Sequence, residues 1–508
     1  MFLPRDAHFD VAHYHIHNGW SLWNGRLEQD LAPAQLHSFM NPLHSGLIWL
    51  LIDNLPGPLA VGILSLVQAA MLPMLYALIA RLACRFEADV SKIVIAIIAF
   101  ACFITQPMSI MLSSLLNDHW GALAFITALV LLIGKTVEPP TLRALSLASG
   151  CLGIMLGLKM TNAVYVPAFA VAAMIAVPGL IARAKAAAVC AAAGLGGAIL
   201  TGGWWAVVMM DKFGNPVFPH LNSLFGSPPD GPSEAFRDHR YLPEGVWDAL
   251  IRPFKFSFDG TLINEYHFYD FRFLIGYIAC FAGLALFARA AWQKRMTEAA
   301  RPVLILIAAF LVTMIVWSMV FSIQRYAMGL WLMGLLIPLA LLWYNRPDAL
   351  GHSKTRIAVF AVLGAAIVST SYASLRRVAW TSWDEPYVWT NLPDTVDVTD
   401  AIIVMSARYP TAYTSPAMQR AAWITHADAR PWSRAALENY RPRIKAAIAA
   451  SDNPVFAIMF IGQDSDEDDL VRLAGEVGLI TQFNRCQRME TAFNTLNTHW
   501  VICPLERP

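Results

Sequence analysis

The sequence predicts a mostly α protein: a polytopic helical membrane bundle with a small α/β domain at its C-terminal end. Three observations lead there. Only 14% of the 508 residues are charged against 57% hydrophobic, and the mean hydropathy is +0.48, whereas a soluble globular chain carries about 25% charge. The missing charge falls in long uncharged runs, as in chains dissolved in lipid. From about residue 376 the composition turns to mixed polar and apolar. Lys+Arg 37 against Asp+Glu 36 leaves a net charge of +1, so no field of one sign points to nucleic acid as a partner.

Runs long enough to approach or cross a hydrocarbon core of about 30 Å lie at 58–80, 93–116, 120–134, 144–158, 160–182, 186–210, 273–288, 302–323, 326–344 and 357–373. They make a transmembrane bundle over residues 58–374. Lys and Arg favour cytoplasmic connections. Arg81, Arg85 and Lys92; Lys135 and Arg143; Arg183 and Lys185; Arg289, Lys294, Arg295 and Arg301; and Arg346, Lys354 and Arg356 occupy alternate connections. The short intervening turns hold only Lys159 and Arg325. This alternation puts residues 1–57, the loop 211–272 and residues 375–508 on the outer side, with Arg376 and Arg377 a minor exception. A chain that starts outside implies an apolar anchor helix ahead of the first loop.

Residues 41–54 (NPLHSGLIWLLIDN) are apolar but too short to span, and read as an interfacial helix. In the outer C-terminal domain, strands are expected at 401–405 and 455–460 and helices at 434–450 and 467–477. Cys486 and Cys503 are its only cysteines, separated by a run fit for a hairpin; a disulfide is expected there, in keeping with an oxidising compartment. The other five cysteines fall in or beside spans, as small buried residues do.

Chemistry is expected on the outer side. If residues 9–24 are helical, Asp10, His13, Tyr14 and His17 share one face at i, i+3, i+4 and i+7, and His15 points elsewhere. A carboxylate beside imidazoles suits a general base or a metal ligand; an interfacial helix with its rings at headgroup depth is the plainer alternative. Asn117 and Asp118 place a second acid at a membrane mouth, where an N-cap is the alternative role. Lys159 and Arg325 stand against the cytoplasmic bias of cations. Clamping a lipid-linked phosphate is one role for them, and snorkelling to the interface is the other. Arg240, Arg252 and Lys255, interleaved with Phe254, Phe256 and Phe258, suggest an interfacial segment in the loop.

These residues resemble the GT-C superfamily of polytopic glycosyltransferases, which includes the aminoarabinose transferases and protein O-mannosyltransferases. Asp10, Tyr14 and Gly25 match the acidic first-loop motif, but Val11 stands at its second acidic position, so no role passes to it. Asn41-Pro42-Leu43, Gly157-Leu158-Lys159-Met160-Thr161, Phe213-Gly214-Asn215-Pro216-Val217-Phe218-Pro219 and Arg325-Tyr326 are similar to later family segments, in order. The likeness covers the chain to about residue 374. It implies transfer of a sugar from a polyprenyl-phosphate donor to an acceptor hydroxyl on a lipid, glycan or protein, with inversion, at the outer face of a bacterial inner membrane. Asp10 would be the base, Asp118 a supporting acid, and Lys159 and Arg325 the phosphate clamp, with Tyr14, His13, His17 and Asn117 contacting substrate. Some relatives use a divalent metal, Mg or Mn, which His13 and His17 would serve. The alternative is a transporter or flippase of a lipid-linked saccharide, which inverted repeats and charges inside the spans would favour; neither occurs.

Overall fold

The computed structural model describes residues 6, 8–226, 238–373, 386–406, 410–427, 440–461, 467–492 and 499–508. They form a mostly helical body with a small sheet domain at the C-terminal end. Among the described residues, six helices are long and apolar enough to cross a membrane: Gly57–Arg85, Leu180–Phe213, Arg272–Trp292, Glu298–Val320, Gln324–Asn345 and Ser353–Thr370. They mark the chain as a multi-pass membrane protein. Four expected spans are shorter: Lys92–Phe103, Asp118–Leu132, Leu142–Leu158 and Met160–Ala176.

The run expected as one span at 93–116 is broken, and local chemistry gives the reason. Thr105 caps a second, short helix, Gln106–Met111, by accepting from Met108 N, and Pro107 occupies its first turn. Proline lacks the N–H that would continue the preceding ladder. The chain then runs without helix, its side chains buried, to Asn117, which opens Asp118–Leu132.

The segment 41–54 forms the helix Leu43–Asn54. In the long loop, Val246–Phe258 is helical, with Val246, Trp247, Leu250, Ile251, Phe254 and Phe258 exposed along one side. Its other side rests on the Arg272–Trp292 helix, where Tyr277 Oη donates to Leu250 O at 3.0 Å. An apolar exposed stripe on an amphipathic helix is the pattern of an in-plane membrane segment. Arg252 and Lys255 both bond Asp248, each at 2.7 Å.

The C-terminal sheet contains β1 (Thr390–Asn391), β2 (Ile402–Met405), β3 (Trp423–His426), β4 (Val455–Ile461), β5 (Ile480–Thr481), β6 (Gln487–Thr491) and β7 (His499–Glu506). The order is β1-β6-β7-β4-β2-β3, with β5 pairing β7. β3, β2 and β4 are parallel; β4, β7 and β6 alternate in direction. Helices Tyr440–Ala449 and Glu467–Glu476 accompany the sheet. Residues 434–439 of the expected helix, and Arg376 and Arg377, lie outside the described residues. Gln487 pairs with Ile502, so Cys486 falls opposite Cys503, and the two form the expected disulfide.

The first loop docks on this domain. Leu31 N donates to Ile424 O at 2.9 Å, and Thr425 Oγ1 donates to Leu31 O at 2.8 Å, so Leu31 pairs in parallel with the outer edge of β3. Arg26 holds Asp30 through two hydrogen bonds and donates to Ala421 O at 2.9 Å. Asp30 accepts from Ile424 N at 2.9 Å.

Candidate functional site

The site starts from an irregular helix. Residues Val11–His15 form a π turn that runs on into the α-helix Ile16–Trp23. The wider turn, closing i to i+5, brings His15 rather than His13 or His17 onto the Asp10 side. Asp10, Tyr14, His15 and Asn18 line a cavity of about 740 Å³. His13 and His17 do not line it, which corrects the face expected from regular helical spacing. His13 is buried with its ring 5.2 Å from that of His37, and His17 Nδ1 is bonded to Ser415 Oγ at 2.9 Å. His13 and His17 therefore do not form a donor set for Mg or Mn, and no group of three His, Cys, Asp or Glu among the described residues is placed to hold a metal ion.

Four charged side chains from distant parts of the chain meet at one end of the cavity. Arg325 Nη2 donates to Asp10 Oδ2 at 2.6 Å, and Nη1 lies 2.9 Å from His8 Nε2. Its Nε stands 3.6 Å from Asp118 Oδ2. Lys159 Nζ donates to Asp118 Oδ1 at 2.6 Å and to Asn117 Oδ1 at 2.8 Å. Both cations lie 5.3 Å from the centre of the Tyr326 ring. The order Asp10, Arg325, Asp118, Lys159 alternates in sign, so the group is nearly neutral.

Local packing brings the Lys159 turn to Asp118. Lys159 ends the Leu142–Leu158 helix in an extended conformation, and Asn162 lies in the following turn against Gly121, where an added Cβ would fall 1.8 Å from Asn162 Oδ1. Only glycine allows that approach.

Asp10, Asn117, Lys159, Arg325 and Tyr14 all line the cavity. Asp118 does not: its side chain is fully buried behind the two cations it holds. Burial alone would raise the Asp10 carboxyl, but Arg325, His8, His37 and His15 outweigh it and hold the group well below the usual carboxylate range. His37 stacks on Tyr14 with ring centres 4.9 Å apart. His8, His15 and His37 also line the cavity and were not among the expected site residues. His37 arrives from a separate turn, and only the π turn, invisible in spacing, reveals His15.

Another part of the lining has a different character. Leu195, Ala198, Ile199, Gly202 and Gly203 line the cavity from the membrane-length helix Leu180–Phe213, on which Leu195, Ile199 and Leu200 are 64%, 58% and 72% exposed. One chamber thus joins a charged end to an apolar helix face. No family model, curated protein or solved structure matches the chain.

Proposed function

We propose that the protein is a glycosyltransferase that moves a sugar from a polyprenyl-phosphate donor to an acceptor hydroxyl, with inversion, as the GT-C-like motifs imply, on the outer face of a bacterial inner membrane. The observation that carries the reading is the cavity itself. The Asp10 carboxylate and the cations Lys159 and Arg325 line it, together with Arg240, Asp238 and Glu265, and residues of an exposed apolar helix line the same cavity. A ligand with an anionic headgroup and a long hydrocarbon chain has both features.

The chemistry follows from the contacts. The donor phosphate seats against Arg325 and Lys159 by charge-assisted hydrogen bonds. In doing so it draws Arg325 from Asp10, and the carboxylate, now less neutralised, gains proton affinity. Asp10 takes the proton of the acceptor hydroxyl while that oxygen attacks the anomeric carbon from the face opposite the phosphate. The bond from the anomeric carbon to the phosphate oxygen breaks, and its electron pair leaves on the polyprenyl phosphate. Arg325 and Lys159 stabilise the charge that grows there, in a partly dry site where such stabilisation is strongest. Asp118, out of reach of the cavity, acts as the fixed counter-ion that spaces the two cations.

Asp10→Asn tests the reading. In membranes supplied with a polyprenyl-phosphate sugar, transfer should fall about 10²- to 10⁴-fold, the range for loss of a general base, while the donor still binds. Full activity in this variant rejects the base role.

A further inference from the structure

Asn41 stands where the charged and the apolar parts of the cavity lining join. It lines the cavity itself, just ahead of the Leu43–Asn54 helix, and its carboxamide is engaged at both ends. Nδ2 donates to Gly157 O at 2.8 Å and to Thr201 O at 2.9 Å, while Oδ1 accepts from Leu43 N at 3.0 Å. Both N–H groups are thereby bonded within the protein, and none is left for a ligand.

The two carbonyls belong to different parts of the site. Gly157 comes two residues before Lys159. The Leu142–Leu158 helix stops there because Lys159 is extended, at φ −152° and ψ 118°, and the last carbonyls of a helix need donors from outside it. Asn41 is that donor for Gly157. Thr201 lies in the π turn Ile199–Gly203 of the apolar helix, between Ile199 and Gly202, which line the cavity. The two helices meet closely at this level: a Cβ on Gly157 would fall 2.3 Å from Thr201 Oγ1, and that hydroxyl donates to Ile154 O at 2.8 Å. Trp205 Nε1 donates to Phe39 O at 2.8 Å, so the stretch of the first loop that carries Asn41 is fixed to the same apolar helix. Asp118 and Asn117 hold the Lys159 ammonium; the Asn41 junction holds the main chain from which that flexible side chain starts.

We propose that Asn41 is a positioning residue for a lipid-phosphate site. By gripping the carbonyls of Gly157 and Thr201 with one amide, it sets the span between the Lys159 ammonium and the apolar helix. Over that span one ligand presents its phosphate and the start of its hydrocarbon chain. The role rests on the reading of the cavity as a polyprenyl-phosphate site, and it is exerted through Lys159.

A double-mutant cycle tests it, read as the affinity of the full chain in lipid nanodiscs for polyprenyl phosphate. Asn41→Ala should weaken binding about tenfold, the size of coupling between residues of one network. Lys159→Met should weaken it by itself, and adding Asn41→Ala to Lys159→Met should weaken it by no more than about twofold further. Asn41→Ser, which keeps an acceptor for Leu43 N without the double donor, takes the place of alanine in the cycle if alanine prevents folding. Equal losses from the Asn41 replacement with and without Lys159 would make its effect general to the fold and overturn the role. Wild-type affinity in Asn41→Ala, or a chain that folds with neither replacement, overturns it as well. Full binding by Lys159→Met, or no binding of polyprenyl phosphate by wild type, is a separate result, which rejects the lipid-phosphate reading and this role with it.

Discussion

Asp10 is bound to Arg325 at 2.6 Å, and burial lowers the pKa of three histidines of the first 57 residues, His17, His37 and His44. Burial pushes His17 and His44 down to about 3 and His37 to about 4. In the unfolded chain each titrates near 6.5. Because the folded values are the lower ones, the unfolded state takes up protons first as the medium is acidified. The stability these groups contribute is whole above about pH 6.5 and is lost as pH falls toward 4 to 3, by about 1.4 kcal/mol per pH unit for each histidine. Thermal unfolding at pH 7 and pH 5 should show a marked drop at the lower pH. His17→Gln, which retains a partner for Ser415, should make that drop smaller; an unchanged unfolding temperature at pH 5 contradicts neutral burial. Asp10, Asn117, Lys159 and Arg325 stood out in the sequence because polar and charged residues in the outward segments of an apolar chain are conspicuous. His15 was not. Its position depends on one extra residue in a helical turn, and periodicity arguments assume that turn is regular.

At the scale of elements, what matters is how the first loop is held. Arg26 and Asp30 are nearly fully buried, with side chains 4% and 2% exposed, and Arg26 also reaches Ala421 O in the C-terminal domain. Removing one partner of such a pair leaves a buried charge unpaired and costs about 3–5 kcal/mol. Arg26→Met should therefore loosen the loop from the sheet, and limited proteolysis should cut the first forty residues faster than in wild type. Unchanged cleavage would mean that the strand-like pairing of Leu31 suffices alone. Strands β2 and β4 announced themselves as short β-branched runs. β3 did not, because Trp423–His426 (WITH) has neither a long apolar run nor an alternating one, and its place is set by pairing with β2 on one side and Leu31 on the other.

For the whole molecule, the ten apolar runs read from the sequence all contain helix, but six reach membrane length. The difference lies in ends and breaks that hydropathy averages over: Thr105 and Pro107 divide one run, and the charged turn at Lys159 separates two others. The Cys486–Cys503 bridge closes a loop with a sequence separation of 17, and a loop of that size contributes about 3 kcal/mol by constraining the unfolded chain. Reduction should therefore lower the unfolding temperature of the C-terminal domain while the helical signal of the bundle persists; coincident loss of both would make the two parts one cooperative unit. The sheet itself ends in β3, whose free side would ordinarily offer unpaired backbone groups to any extended peptide. Leu31, from the same loop that carries Asp10, already sits there. The arm that equips the chamber with its carboxylate thereby also seals the margin along which neighbouring molecules would otherwise stack into fibres.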